Sequence, residues 1–131
     1  MRIMIKEVGH APRIEERENL TLADMQELVG GYIECLSIND RVDMWLNEEG
    51  KLIGLPLNML ISHKGELVDT IQGDVFFASH DGEGETTSLT EEDERVVWSM
   101  CEHMMMCHDP FVEGSPVSLY PVMEIGGDVD D

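Results

Sequence analysis

The sequence predicts an α+β fold: a mixed or mainly antiparallel sheet of four to six strands with two helices packed against it. Three observations lead there. Short runs rich in β-branched and aromatic residues recur along the first eighty positions. Two stretches, one from Thr21 and one near Thr90, carry a helix N-cap followed by apolar residues at helical spacing. Glycine, asparagine and aspartate punctuate the segments as turn signals. A length of 131 residues fits one domain, and an apolar fraction of 42% suits a packed core. Aromatics make up only 5%, so that core must rest on Leu, Ile, Val and ten methionines.

Arg2–Val8 alternates, with Ile3 and Ile5 on one face and Arg2, Met4 and Lys6 on the other, which is strand patterning. Gly9–Pro12 carries turn signals, and Arg13–Glu18 returns as the second strand of a hairpin with Ile14 as its main apolar contact. Thr21 caps the first helix and Asp24 completes an approximate capping box. Leu22, Met25, Leu28 and Val29 form its apolar stripe, and Gly30-Gly31 stops it. Tyr32–Ile38 and Val42–Leu46 read as strands joined by a turn at Asn39-Asp40. Asn47–Gly50 is a second turn; Lys51–Leu55 is short and ends at Pro56, where a short helix or a loop begins. Thr70–Ser79, interrupted by Gly73-Asp74, is predicted as the last core strand.

A glycine-rich acidic loop spans His80–Thr87, after which Ser88 or Thr90 caps the second helix. Glu91, Glu92, Asp93 and Glu94 fill its first turn, where negative charge complements the helix dipole. This helix is predicted to run to about His108 and stop before Asp109-Pro110. Residues 1–110 are therefore expected as a single α+β domain. Residues 111–131 are expected as an acidic, partly ordered C-terminal tail with a strand candidate at Val117–Ile125.

Charge is distributed unevenly. From Glu66 to Asp131 there are 17 acidic residues against one basic residue, Arg95, whereas residues 1–65 carry 11 acids and 7 bases. The net charge of −20 argues against direct binding of nucleic acid or of an anionic membrane, both of which need clustered Lys and Arg. An acidic surface attracts basic proteins or cations instead. Cys35, Cys101 and Cys107 cannot all pair with one another, and Cys101 and Cys107 face poorly for a bridge on what reads as one helix. Reduced thiols in a cytoplasm are the simplest reading. No signal-peptide pattern is evident, and no apolar run approaches the ~18 residues of a membrane span.

The stretch Leu28-Val29-Gly30-Gly31-Tyr32-Ile33-Glu34 is followed by Asn47-Glu48-Glu49-Gly50-Lys51-Leu52 and Gly54-Leu55-Pro56-Leu57-Asn58. Gly73-Asp74-Val75 and Asp81-Gly82-Glu83-Gly84-Glu85 complete the phrase. In order and spacing it resembles a family of small domains of unknown function carried by bacteriophages, plasmids and other mobile elements, over roughly residues 1–95. The methionine-rich residues 98–108 and the tail depart from that pattern. The resemblance implies a mobile-element protein with a small α+β fold and carries no catalytic residue over. Asn47, Gly50, Gly30-Gly31 and Pro56 suit turns, a helix stop and a fixed bend, a reading preferred to a ligand loop at Gly54–Asn58.

Candidate chemistry is sparse. His103 and Cys107 stand four apart, beside Cys101, His108 and the sulfur of Met104, Met105 and Met106, which is soft-metal composition. Val97, Met100, Cys101, Met104 and Cys107 also fall on one helical stripe, and core packing is the preferred reading. Asp81, Glu83 and Glu85 with Glu92 echo a calcium loop, but Thr86 occupies the position that requires glycine. Neither a nucleophile elbow nor a phosphate loop is present. No metal, cofactor or catalytic residue is therefore assigned, and the chain is expected to be no enzyme.

What is left is the acidic run Asp81, Glu83, Glu85, Glu91, Glu92, Asp93 and Glu94, seven acids with no base in the fourteen positions from Asp81 to Glu94. Surface carboxylates can imitate DNA, which carries one charge per ~1.7 Å of duplex. The expected function is a phage or mobile-element accessory protein that binds a basic host protein, as an acidic, DNA-mimic-like inhibitor of a nuclease, a restriction system or an RNA-guided (CRISPR) effector. The alternative is a small-molecule module that sequesters a nucleotide signal in a pocket formed by Asn47–Asn58 and Gly73–Glu85. Oligomeric state is open: Met106, Val117, Leu119 and Val122 suit a dimer contact or the monomer's own core.

Overall fold

A strand whose consecutive residues are all buried must be covered on both faces. Val75–Ser79 are all buried, and this decides the layering. The computed structural model describes residues 1–126. Within them the chain runs β1 (Arg2–Lys6), β2 (Arg13–Glu16), α1 (Leu22–Val29), β3 (Ile33–Ser37), β4 (Val42–Asn47), β5 (Leu57–His63) and β6 (Glu66–Gln72). It continues through β7 (Val75–His80), β8 (Thr86–Thr87), α2 (Glu91–Cys101), β9 (Met104–Cys107) and β10 (Ser118–Glu124).

The fold is α+β, but the strands form two sheets where one was expected. Among the described residues, the larger sheet has the order β2-β1-β7-β4-β3, with β8 beside β7, and the smaller has the order β6-β5-β10-β9. Every pairing is antiparallel except that of β10 with β5.

The side-chain alternation of β1 and β7 sorts the interior into two clusters. Ile3, Ile5, Phe76 and Ala78 point to one side and share a cluster with Met25 and Val29 of α1. Met4, Val75 and Phe77 point to the other and meet Met59, Ile61, Ile71 and Met123 of the smaller sheet, together with Val97 and Cys101 of α2. Trp45 stacks on Phe76 with ring centroids 6.3 Å apart, extending the first cluster.

Helix starts follow local chemistry. Thr21 and Thr90 each close a capping box, with Asp24 and Asp93 respectively. Gly30 ends α1 in the left-handed conformation, φ 78°.

Three expectations need correction. Thr70–Ser79 is two strands in different sheets: Gly73, at φ 92°, turns the chain, and its N–H donates to the Pro56 carbonyl at 2.8 Å. The segment from Lys51 to Gly54 is a run of turns, and Leu57–His63, read as helix or loop, is strand β5, buried from Leu57 through Ser62. Burial at consecutive positions, the polar Asn58 and Ser62 included, lacks the alternation that marks a half-buried strand. The second helix stops at Cys101, not near His108. Met104–Cys107 pair with Pro121–Ser118 of β10, and this long-range ladder overrides the helical propensity of methionine.

The chain beyond residue 110 also supplies structure. β10 lies between β5 and β9, and Met123 is fully buried. Residues 118–124 fall within the strand candidate Val117–Ile125, and they form a central strand. The acidic end, with Asp128, Asp130 and Asp131, lies outside the described residues.

Candidate functional site

The acidic run divides into an outward and an inward set. In the β7–β8 turn, Asp81 Oδ1 accepts the backbone N–H groups of Glu83 and Glu85, each at 2.9 Å. Those bonds, from Glu85 first and Glu83 next, hold its carboxyl below the usual aspartate range. Glu83 and Glu85 then project into solvent, as do Glu91 and Glu92 in the first turn of α2. Asp93 and Glu94 do not. Asp93 is buried against Arg41, and Glu94 is buried against Arg2. They anchor α2 to the start of β4 and to β1, so their charge is spent inside the chain.

Five cations are likewise paired within the chain. Arg2 bridges to Glu16 and Glu94, Arg13 to Glu7 and Glu15, Arg17 to Glu15, Arg41 to Asp93 and Lys51 to Asp69. The exposed carboxylates Asp81, Glu83 and Glu85 of the turn and Glu91 and Glu92 of α2, taken together below as the acidic ridge, make no salt bridge among the described residues.

No group of three or more His, Cys, Asp or Glu suited to a metal occurs among the described residues. Cys101 ends α2 in the core, whereas Cys107 sits on β9, so the expected shared helical face does not exist. Burial pushes the Cys101 thiol up to about 11. Burial, and then the charge of Asp43, do the same for Cys35.

The recurring Gly and Asn positions interlock backbone. Asn47 Nδ2 donates to the Val29 carbonyl at 3.1 Å and its Oδ1 accepts Glu49 N–H at 2.7 Å. A Cβ on Gly31 would lie 2.8 Å from Asn47 Nδ2, and one on Gly50 would lie 2.7 Å from the Gln72 carbonyl oxygen. Asn58 Nδ2 donates to the carbonyls of Lys6 at 2.9 Å and Gly73 at 2.7 Å. Asn47, Glu48, Gly50, Lys51 and Leu52 line a depression of about 320 Å³ with Glu34 and Asp69, and Gly73–Glu85 does not contribute to it.

A larger cavity, of about 560 Å³, was not anticipated. Val8, Ala11, Pro12, Leu57, Trp98 and Leu119 line it, and Lys6 lies at its base. Lys6 is only 3% exposed. Its Nζ donates to Asn58 Oδ1 at 2.7 Å and to the Glu7 carbonyl at 3.1 Å. Burial pulls its ammonium below the ordinary lysine value, against the smaller opposing influences of Cys101 and Asp74. The period-two pattern did place Lys6 on the Met4 face. No local signal said that this face continues into a covered cavity.

Residues 1–103 match the model of the family described as a domain of unknown function, DUF3846. The chain belongs to this family. No curated protein and no solved structure matches it. The DUF3846 segment takes in every element from β1 to α2 and ends before β9 and β10. The cavity is therefore composite: Lys6, Asn58 and Trp98 belong to the DUF3846 segment, and Met104, Leu119, Tyr120 and Pro121 come from the chain beyond it. Among the described residues, no helix is long and apolar enough to cross a membrane.

Proposed function

We propose that this DUF3846 protein is a non-enzymatic accessory protein of a phage or other mobile element that acts in the cytoplasm by binding a basic host protein. Its acidic ridge competes for a groove that otherwise holds nucleic acid, and a nuclease, restriction complex or RNA-guided effector is the target class. One observation carries the reading. The chain's arginines at positions 2, 13, 17 and 41 are neutralised internally, while Glu83 and Glu85 before the stretch 86–90, and Glu91 and Glu92 after it, stand exposed and without salt-bridge partners among the described residues, outnumbering the one exposed, unpaired arginine nearby, Arg95. A potential of one sign over such a ridge steers a basic partner and repels nucleic acid.

The interface is narrower than the sequence implied, because Asp93 and Glu94 face inward. The test is titration against purified restriction endonucleases and guide-loaded effectors at increasing salt. The expected complex weakens as screening grows, and the combined variant Glu83→Gln, Glu85→Gln, Glu91→Gln, Glu92→Gln loses it. Absence of any complex at low ionic strength, or undiminished binding by that variant, refutes the proposal.

A further inference from the structure

We propose that the cavity above Lys6 is a binding site for a small amphipathic organic monoanion, with the anionic head at the Lys6 ammonium and an apolar body against Trp98, Leu57 and Leu119. This site is independent of the acidic ridge and shares no residue with it.

Lys6 has an incomplete set of partners. An ammonium carries three donors. Lys6 uses two, on Asn58 Oδ1 and the Glu7 carbonyl, and both acceptors are neutral. Among the described residues it makes no salt bridge. The charge of Asp74 favours the ammonium but does not outweigh the cost of its burial, and an anion in the adjoining space lowers that cost further. Cys101 lines the same cavity but offers no such charge, since its thiol stays protonated at neutral pH.

Asn58 makes the arrangement a positioned one. Its Nδ2 already donates to two carbonyls, which fixes the amide so that Oδ1 faces Lys6. The ammonium is thus held in place by a residue that is itself held, as a preorganised site requires.

Size and lining set the ligand class. A volume of about 560 Å³ falls within the ~300–1,000 Å³ usual for small-molecule sites. The walls are mainly apolar, so most of the ligand must be apolar. There is one cation in the lining and one carboxylate, Glu102, on an exposed residue at the rim. That balance admits a single negative charge and disfavours a nucleoside di- or triphosphate.

The experiment uses the full chain and two probes of equal shape, 4-phenylbutyrate and 4-phenylbutan-1-ol, by titration calorimetry with tryptophan fluorescence as a second readout. The acid is expected to bind the wild type about tenfold or more tightly than the alcohol, the value of one charge-assisted hydrogen bond. Lys6→Met is expected to abolish that preference while the alcohol still binds, which also shows that the variant keeps its cavity. Wild-type binding of acid and alcohol with equal affinity, or of neither, overturns the proposal without reference to any variant. So does an acid preference that survives in Lys6→Met. Ridge variants are expected to leave the acid affinity unchanged, so failure here and failure of the protein-binding reading are separate results.

Discussion

Arg41 grips Asp93 with both ends of its guanidinium: Nε donates to Oδ1 at 3.1 Å and Nη2 to Oδ2 at 3.0 Å. Asp93 Oδ2 also accepts the Thr90 backbone N–H at 2.9 Å. One carboxylate thus completes the cap of α2 and ties that helix to the residue before β4. Asp93→Ala is expected to cost about 1–3 kcal/mol, combining a lost cap partner with a lost charge-assisted bond, tempered by the solvent exposure of Arg41. Glu92→Ala, one residue away and exposed, is expected to stay within about 0.5 kcal/mol. Urea unfolding of the two variants decides whether these neighbours differ in role.

Acid sensitivity follows from the same carboxylate. Burial pushes Asp93 up, but the bonds from Arg41 and Thr90 together outweigh it and leave the carboxyl below the usual aspartate range. Asp24 is held low by the Thr21 backbone, and Glu124 first by the Ser62 hydroxyl. A carboxyl with a lower pKa in the folded state stabilises above its unfolded value, and this stability is lost as pH falls through the folded value. Urea midpoints should therefore decline as pH drops below about 4. The decline should be shallower for Asp93→Asn, and an identical slope in variant and wild type would refute the assignment.

Salt should act in the opposite direction to its usual effect on ion pairs. With a net charge of −20, self-repulsion opposes compaction at pH 7. Raising sodium chloride from about 0.02 to 0.2 M shortens the screening length severalfold. The melting temperature is expected to rise over that range, and a fall would show that the surface salt bridges outweigh the repulsion.

Gly50 tests the interlocking turn. A methyl group there meets the Gln72 carbonyl oxygen at 2.7 Å, so Gly50→Ala is expected to cost about 1–3 kcal/mol through forced backbone movement. Gly82→Ala is the control: a Cβ there has nothing within 4 Å, and little change in denaturation midpoint is expected.

Met123 tests whether β10 belongs to the core. It is fully buried in the cluster between the sheets, so Met123→Ala is expected to cost about 2–5 kcal/mol. A chain ending at Val117 would strip β10 from between β5 and β9, and is expected to lose cooperative unfolding. A truncated chain that melts as sharply as the full one would show the strand to be dispensable.

The elements that were legible share a physical basis. The caps at Thr21 and at Thr90 (the latter one of two candidates, with Ser88), the stop at Gly30 and the turn at Asn39 depend on groups within one helical turn or one reverse turn. The hairpin of β3 and β4 follows from two β-rich segments joined by a short turn. The acidic ridge was legible as composition, but its membership was not: Asp93 and Glu94 differ from Glu91 and Glu92 only in which side of α2 they occupy and what lies there.

The sequence by itself determined the fold class, both helix starts and a strongly acidic character. Tertiary structure decided that Met104–Cys107 is a strand, because its partner residues 118–121 lie outside any local window. It also decided that Leu57–Ser62 is buried on both faces between sheet neighbours, and that the strands form two sheets. Lys6 shows the reason most directly. Nothing adjacent to it distinguishes it from a surface lysine; its burial depends on Asn58, 52 residues away, and on walls contributed by residues past position 100. Caps and turns are short-range bonds that a sequence displays, whereas burial is set by what the rest of the chain brings to the same place.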